Sequence, residues 1–228
     1  MKPKAALKMG VDIAMTLLFL GQMGYHMTNN RVHEWTGVTL CLLFILHHAL
    51  NGSWHQNLLR GRYSRQRILL TAVDALLTLA MAAVIASALL VSRHVFDFLG
   101  LHQRALGRRI HMPATMWAFV LTGLHIGLHW NRILGTARRN AKGKGNRFFV
   151  LAARILLAGI AIFGAYEFIS RGLWMEMFML REFAFLEYGE SLPVFFASYA
   201  AILAAWGMLS CFLSRVLGHR KTQRGEET

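Results

Sequence analysis

Charge is scarce in this chain, and acidic charge most of all. Only 16% of the 228 residues are charged, where an ordinary soluble domain has about a quarter, and 55% are hydrophobic. That balance excludes an ordinary soluble globule and points to the membrane. Asp and Glu number 11 against 25 Lys and Arg, for a formal charge of +14. In a soluble chain such an excess would suggest a nucleic-acid surface, so the meaning of the charge depends on where the cations sit. Cysteine is nearly absent: Cys41 and Cys211 each lie in an apolar run, which excludes a disulfide framework and a cysteine metal site. Without a Cys-x-x-Cys-His run, covalent c-type haem is excluded as well. A Walker loop, a dinucleotide Gly-rich fingerprint, a catalytic triad and a flavin-attachment sequence are also missing, so any chemistry must belong to a bound cofactor.

Long apolar runs are what the chain does have. Crossing about 30 Å of hydrocarbon at about 1.5 Å per residue takes about 20 mostly apolar residues. Six segments qualify, near 11–29, 34–52, 69–92, 110–131, 148–169 and 192–214. They predict an all-α, six-helix integral membrane bundle, a single domain over 1–228. Met1 to Lys8 followed by an apolar run imitates a signal peptide, but no small-x-small site follows, so the run is read as a first helix.

The loops then account for the charge. Lys2, Lys4 and Lys8, Arg60, Arg62, Arg65 and Arg67, Arg132, Arg138, Arg139, Lys142, Lys144 and Arg147, and Arg215, Arg220, Lys221 and Arg224 make up 17 of the 25 cations and fall on one side. By the positive-inside rule that side is the cytoplasm, with both termini in it, and nucleic acid is not a partner. Trp35 and Trp174 fall near the outer interface and Trp54 and Trp130 near the inner one. The segment from Gly172 to Gly189 mixes Trp174, Met177, Phe178, Phe183, Phe185 and Leu186 with Glu176, Arg181, Glu182 and Glu187, and reads as a helix lying along the outer surface.

Eleven histidines in such a bundle demand a role, because ionisable groups in a bilayer are costly and face a partner in the interior. Their spacing is specific. His33 opens the second helix and His47 follows 14 residues on; His111 opens the fourth and His125 follows 14 residues on. At about 100° and 1.5 Å per residue, each pair shares a face and is separated by about 21 Å. The two helices run the same way, so aligned starts would bring His33 to His111 near the outer surface and His47 to His125 near the inner one. Two facing imidazoles are what a bis-histidine haem iron requires, and two such levels would stack two haems. His48 is turned about 100° from His47, and His129 lies one turn past His125 but opposite Asn51; both stand as reserve ligands. His26 ends the first helix at about the outer level and is an outside candidate there. His55, His94, His102 and His219 fall in loops or tails and read as solvated.

Other polar groups invite narrower expectations. Arg93, Arg104, Arg108 and Arg109 stand in the outer loop before His111, against the charge trend, where they could neutralise haem propionates or a quinol headgroup; contact with lipid headgroups is the competing reading. Asp74 and Arg154 lie at similar depths in the third and fifth helices, where they could pair structurally; a proton route to a cytoplasmic quinone site is the competing reading. Glu167, near the outer end of the fifth helix, could take a quinol proton; a simply hydrated interfacial carboxylate is the competing reading. Gly123 and Gly127 flank His125 but face away from it and would admit another helix closely.

The runs His33-Glu34-Trp35-Thr36-Gly37, His47-His48-Ala49-Leu50-Asn51 with Trp54, and His125-Ile126-Gly127-Leu128-His129-Trp130 resemble the motifs of the flavinylation-associated cytochromes, a bacterial membrane family. The likeness covers nearly the whole chain, and the histidine layout is also similar to that of respiratory diheme b cytochromes. It implies a four-helix haem-binding core over 1–134 and two further helices over 148–214, joined by the outer helix, in the bacterial inner membrane. It also implies two b haems on His33, His47, His111 and His125, and electron transfer between a membrane or cytoplasmic donor and an extracytosolic acceptor, such as a flavinylated protein. The stretch Met112 to Phe119 matches least well, with Met116-Trp117 where a more aromatic pair is expected. A quinone site would make the protein an oxidoreductase subunit; otherwise it is an electron carrier. Two rivals stand beside this reading: a histidine-based metal-ion transporter, which needs carboxylates near the histidines, and a non-redox membrane anchor.

Overall fold

The fold comes from a computed structural model, which describes residues 3–101, 103–140, 147–181 and 189–219. Lys2, His102, Lys142, Lys144, Phe183, Phe185, Leu186, Arg220, Lys221 and Arg224 lie outside the described residues, as does most of the C-terminal half of the expected surface helix. Among the described residues, helix is the only regular structure: α1 (Pro3–Met23), α2 (Asn30–Leu50), α3 (Gly52–Asn57), α4 (Arg65–Val91), α5 (Arg104–Asn140), α6 (Arg147–Ser170), α7 (Leu173–Met177) and α8 (Leu192–His219).

Four of these are long and apolar enough to cross a membrane: α1, α4, α6 and α8. The other two long helices, α2 and α5, have the length but carry the histidines. Imidazoles at His33, His47 and His48, and at His111, His125 and His129, dilute the apolar surface of each. Helix α4 is apolar nearly all round, the pattern of a segment surrounded by other helices or by lipid.

Two boundaries differ from expectation for identifiable reasons. Composition places the first helix at 11–29, but α1 starts at Pro3 and stops at Met23. Gly24 follows where a Cβ would sit 3.3 Å from the Phe195 ring, and residues Tyr25–Met27 form a single 3-10 turn. Asn29 then caps α2, its side-chain oxygen accepting from the Val32 N–H at 2.9 Å. His26 therefore lies in the turn, edge-on to Phe195 with ring centres 5.3 Å apart, rather than at the end of a helix. Asn29→Ala should cost about 1 kcal/mol in the first turn of α2, read as faster amide exchange at Val32 with the rest of the helix unchanged. At the other boundary, α5 begins at Arg104, so Arg104, Arg108 and Arg109 stand on its first turns and not in a loop.

The chain divides into two compact units. The first comprises Met1–Arg62, Ala82–Met112 and Phe183–Phe196; the second comprises Tyr63–Met81, Pro113–Glu182 and Ala197–Thr228. In the first, α1 and α2 pack antiparallel and are laced by three side-chain contacts. Lys8 donates to Asn51 Oδ1 at 2.9 Å, Asp12 meets His47 at 2.7 Å, and Gln22 donates to the His33 carbonyl at 3.1 Å. In the second, α8 is met closely by α5 and α6 around buried Phe119, Ser198, Ile202 and Ser210.

Candidate functional site

The histidines are distributed over both units, and each unit shows its own arrangement. In the first, His33 on α2 and His111 on α5 bring their rings together with centres 6.4 Å apart and planes 73° apart. Two imidazoles sharing one metal, each bonded at about 2 Å, have ring centres about 6 Å apart, so the pair is spaced as a bis-histidine iron needs.

Hydrogen bonding sets which nitrogen His111 offers. Ser87, fully buried on α4, has one hydroxyl proton and directs it at the Ala83 carbonyl, 2.7 Å away. With that proton turned to a carbonyl, its oxygen, 3.1 Å from His111 Nδ1, can accept from the Nδ1–H tautomer, which would carry the lone pair on Nε2. His33 is different: its Nδ1 is buried with no hydrogen-bond partner among the described residues, and its ring stands edge-on to Tyr25 with centres 5.0 Å apart. A buried imidazole nitrogen left unbonded is costly, and a coordinated metal is one way to use such a ring.

The other histidines of the first unit separate clearly. His47 Nδ1 lies 2.7 Å from Asp12 Oδ1, so a carboxylate holds Nδ1–H and directs the Nε2 lone pair away. His48 instead turns to α3, its Nδ1 3.1 Å from His55 Nε2 and its ring edge-on to Phe44. The 100° between neighbours on one helix thus becomes a division of partners: His47 takes a carboxylate and His48 takes an imidazole.

In the second unit Asp74, buried on α4, is the centre. His125 Nδ1 lies 2.7 Å from Asp74 Oδ1, and His129 Nε2 lies 3.9 Å from the same oxygen. One ligand atom from each of the three residues lies within 4.8 Å of the others, a donor set suited to a divalent cation. The expected Asp74–Arg154 pair is not formed: Arg154 is exposed on α6, and histidines surround the carboxylate instead. Sequence reasoning missed this because Asp74 interrupts a helix with no polar stripe to show which way it faces.

Glu34 was also overlooked as a site residue in its own right. Its carboxylate accepts from Ser92 Oγ at 2.7 Å and from the backbone N–H groups of Arg93, His94 and Val95 at 2.8, 3.0 and 2.8 Å. It therefore ties the segment after α4 to the second turn of α2, one residue from His33. Arg93, Arg108 and Arg109 are exposed in this unit, and Arg104 reaches Asp97 at 3.5 Å. Glu167 is engaged by Arg171 at 2.7 Å rather than standing alone. On α7 the carboxyl of Glu176 is pushed above its ordinary range by burial, with Arg181 opposing the shift.

Comparison of the chain with protein-family models, with curated protein sequences and with solved structures finds no match.

Proposed function

We propose that this protein is a multi-pass membrane cytochrome of the bacterial inner membrane that binds two b haems and conducts electrons across the bilayer. In this reading His33 and His111 hold one iron, His47 and His125 each serve as a haem ligand, and all six long helices cross the membrane with both termini in the cytoplasm. The observation that carries it is the His33–His111 ring pair at 6.4 Å. The second haem is supported by the equal 14-residue spacings and by the geometry of His47 and of His125, each taken separately. Haem supplies one-electron chemistry when bound. The chain's own residues do the rest: Ser87, Asp12 and Asp74 each hold a ring Nδ1–H, fixing the tautomer and leaving Nε2 as the ligand atom. The resemblance in the histidine motifs favours an extracytosolic flavoprotein as acceptor, with a membrane quinol or cytoplasmic donor.

Purified protein should contain about two haems by pyridine haemochrome assay. His33→Ala and His47→Ala should each lose a different one, lowering the count to about one. Protein from haem-replete cells that carries none would overturn the reading.

A second reading is favoured by one observation, the gathering of Asp74, His125 and His129. These residues would suit a histidine-based carrier of a divalent cation such as zinc. Zinc uptake into vesicles containing the protein, abolished by Asp74→Asn, would select it; haem content without uptake would reject it.

A further inference from the structure

We propose that Asp74, His125 and His129 form a resident site for one zinc-class divalent cation, and that filling this site withdraws His125 from haem. The inference rests on the proposed function, in which His125 is a haem ligand, and adds a regulator to it. Unlike the cargo of the carrier reading, the ion stays where it binds.

All three residues belong to one compact unit, Asp74 on α4 and the two histidines on α5. His125 and His129 are four residues apart, which puts both rings on one face of α5 toward the carboxylate. His125 Nδ1 stands 2.7 Å and His129 Nε2 3.9 Å from Asp74 Oδ1. A tetrahedral zinc ion, about 2.1 Å from each nitrogen or oxygen, holds its ligand atoms about 3.4 Å apart, so each separation needs to change by less than about 1 Å. The two ring centres are 4.5 Å apart. That is near the value of about 5 Å for two imidazoles on one tetrahedral ion, and short of the value of about 6 Å for two on opposite faces of an iron. Asp74 is buried, and a buried carboxylate is stabilised by a cation beside it. The histidine side chains keep 27% and 21% of their exposure, which leaves an ion a way in. Two nitrogens and one oxygen suit zinc, copper or nickel; magnesium prefers oxygen alone.

The contest with haem follows from the His125 ring itself. A neutral imidazole has one N–H and one lone pair, so it offers a metal one nitrogen at a time. While Asp74 accepts from Nδ1–H, the lone pair lies on Nε2, the atom proposed for haem. When zinc takes Nδ1, that proton moves to Nε2, and the carboxylate it leaves binds the ion together with His129. The ring neither gains nor loses a proton in the exchange. The same 2.7 Å contact therefore serves two states that exclude each other.

The test is to equilibrate the purified full-length protein with increasing zinc chloride and to count zinc and haem on every sample. Zinc should rise to about one per chain as haem falls from about two to about one, and equal magnesium should change neither. His129→Ala should keep its haem and need at least about tenfold more zinc for the same effect. Asp74→Asn should lose zinc as well, and Asp74→Glu, which keeps a carboxylate, separates loss of the ligand from loss of the fold. Wild-type protein that takes up no zinc, or a His129→Ala variant that takes it up as readily, overturns the site. Zinc bound beside two retained haems overturns the competition and leaves the diheme reading intact. Wild-type protein without haem before zinc is added removes that reading and the competition together, with the zinc count still deciding the site.

Discussion

Gly127→Leu should prevent the second unit from packing, and even Gly127→Ala should cost about 3 kcal/mol or more. A Cβ on Gly127 would lie 1.9 Å from the Gly207 carbonyl oxygen and 2.2 Å from Ser210 Oγ. The first of these is backbone in the middle of α8, so relief requires the whole helix to move away. That movement would also break the bond from Ser210 Oγ to the Leu124 carbonyl at 2.8 Å, leaving the buried hydroxyl only the Gly207 carbonyl of its own helix at 3.0 Å. Between helices in a membrane, close approach of small residues replaces the hydrophobic drive that water supplies to soluble proteins, so the loss has no compensation. Gly164→Ala should behave similarly, since its Cβ would meet the Ala201 carbonyl oxygen at 2.0 Å. Gly10→Ala and Gly159→Ala, where nothing lies within 4 Å, are the controls and should be neutral or slightly stabilising. Unfolding in mixed detergent micelles distinguishes the two classes; a Gly127→Ala protein as stable as the control variants would show that α5 and α8 do not approach this closely.

The second large effect is expected at Glu34. Removing the carboxylate in Glu34→Ala leaves four donors without their acceptor: the Ser92 hydroxyl and the N–H groups of Arg93, His94 and Val95. Hydrogen bonds to a charged group contribute about 1.5–3 kcal/mol each when buried. Glu34 is only half-buried, and water can take over part of the role, so a total of about 2–3 kcal/mol is the reasonable expectation. Amide exchange at Arg93, His94 and Val95 should then accelerate about 30- to 160-fold, while amides in the middle of α4 keep their protection. Glu34→Gln should be intermediate, because one neutral oxygen remains but the amide NH2 group adds donors where only donors already point. Unchanged exchange at those three amides in Glu34→Ala would refute the tether.

Both predictions concern features that the amino-acid sequence carries but does not reveal in full. The Gly123 and Gly127 step is legible as a place where a helix can come close, and the structure supplies the helix, α8, with Trp206 and Leu203 over Gly123 and Gly207 over Gly127. Glu34 is visible in the motif beside His33, but its partners are backbone groups about 60 positions away, and backbone N–H groups leave no residue-type signal. For Asp74 the sequence pairing with Arg154 fails and the histidines take its place. Equal depth in two helices says nothing of rotation, and a turn of about 100° per residue can direct a carboxylate to an entirely different neighbour.

What the sequence determined alone follows from local rules. Apolar length and the scarcity of charge are properties of segments, so helical class and membrane character are readable without contacts. The 14-residue spacings are likewise intrinsic to α2 and α5, since helix geometry converts them into a shared face whatever surrounds it. Only the tertiary structure decided which nitrogen of each histidine is held, by Ser87, Asp12 or Asp74, and which histidine of an adjacent pair is diverted to His55. Those choices depend on the rotation and depth of neighbouring helices. In an apolar helix such as α4, which presents no polar stripe to the reader, rotation is set by packing and by a single buried carboxylate seeking a donor.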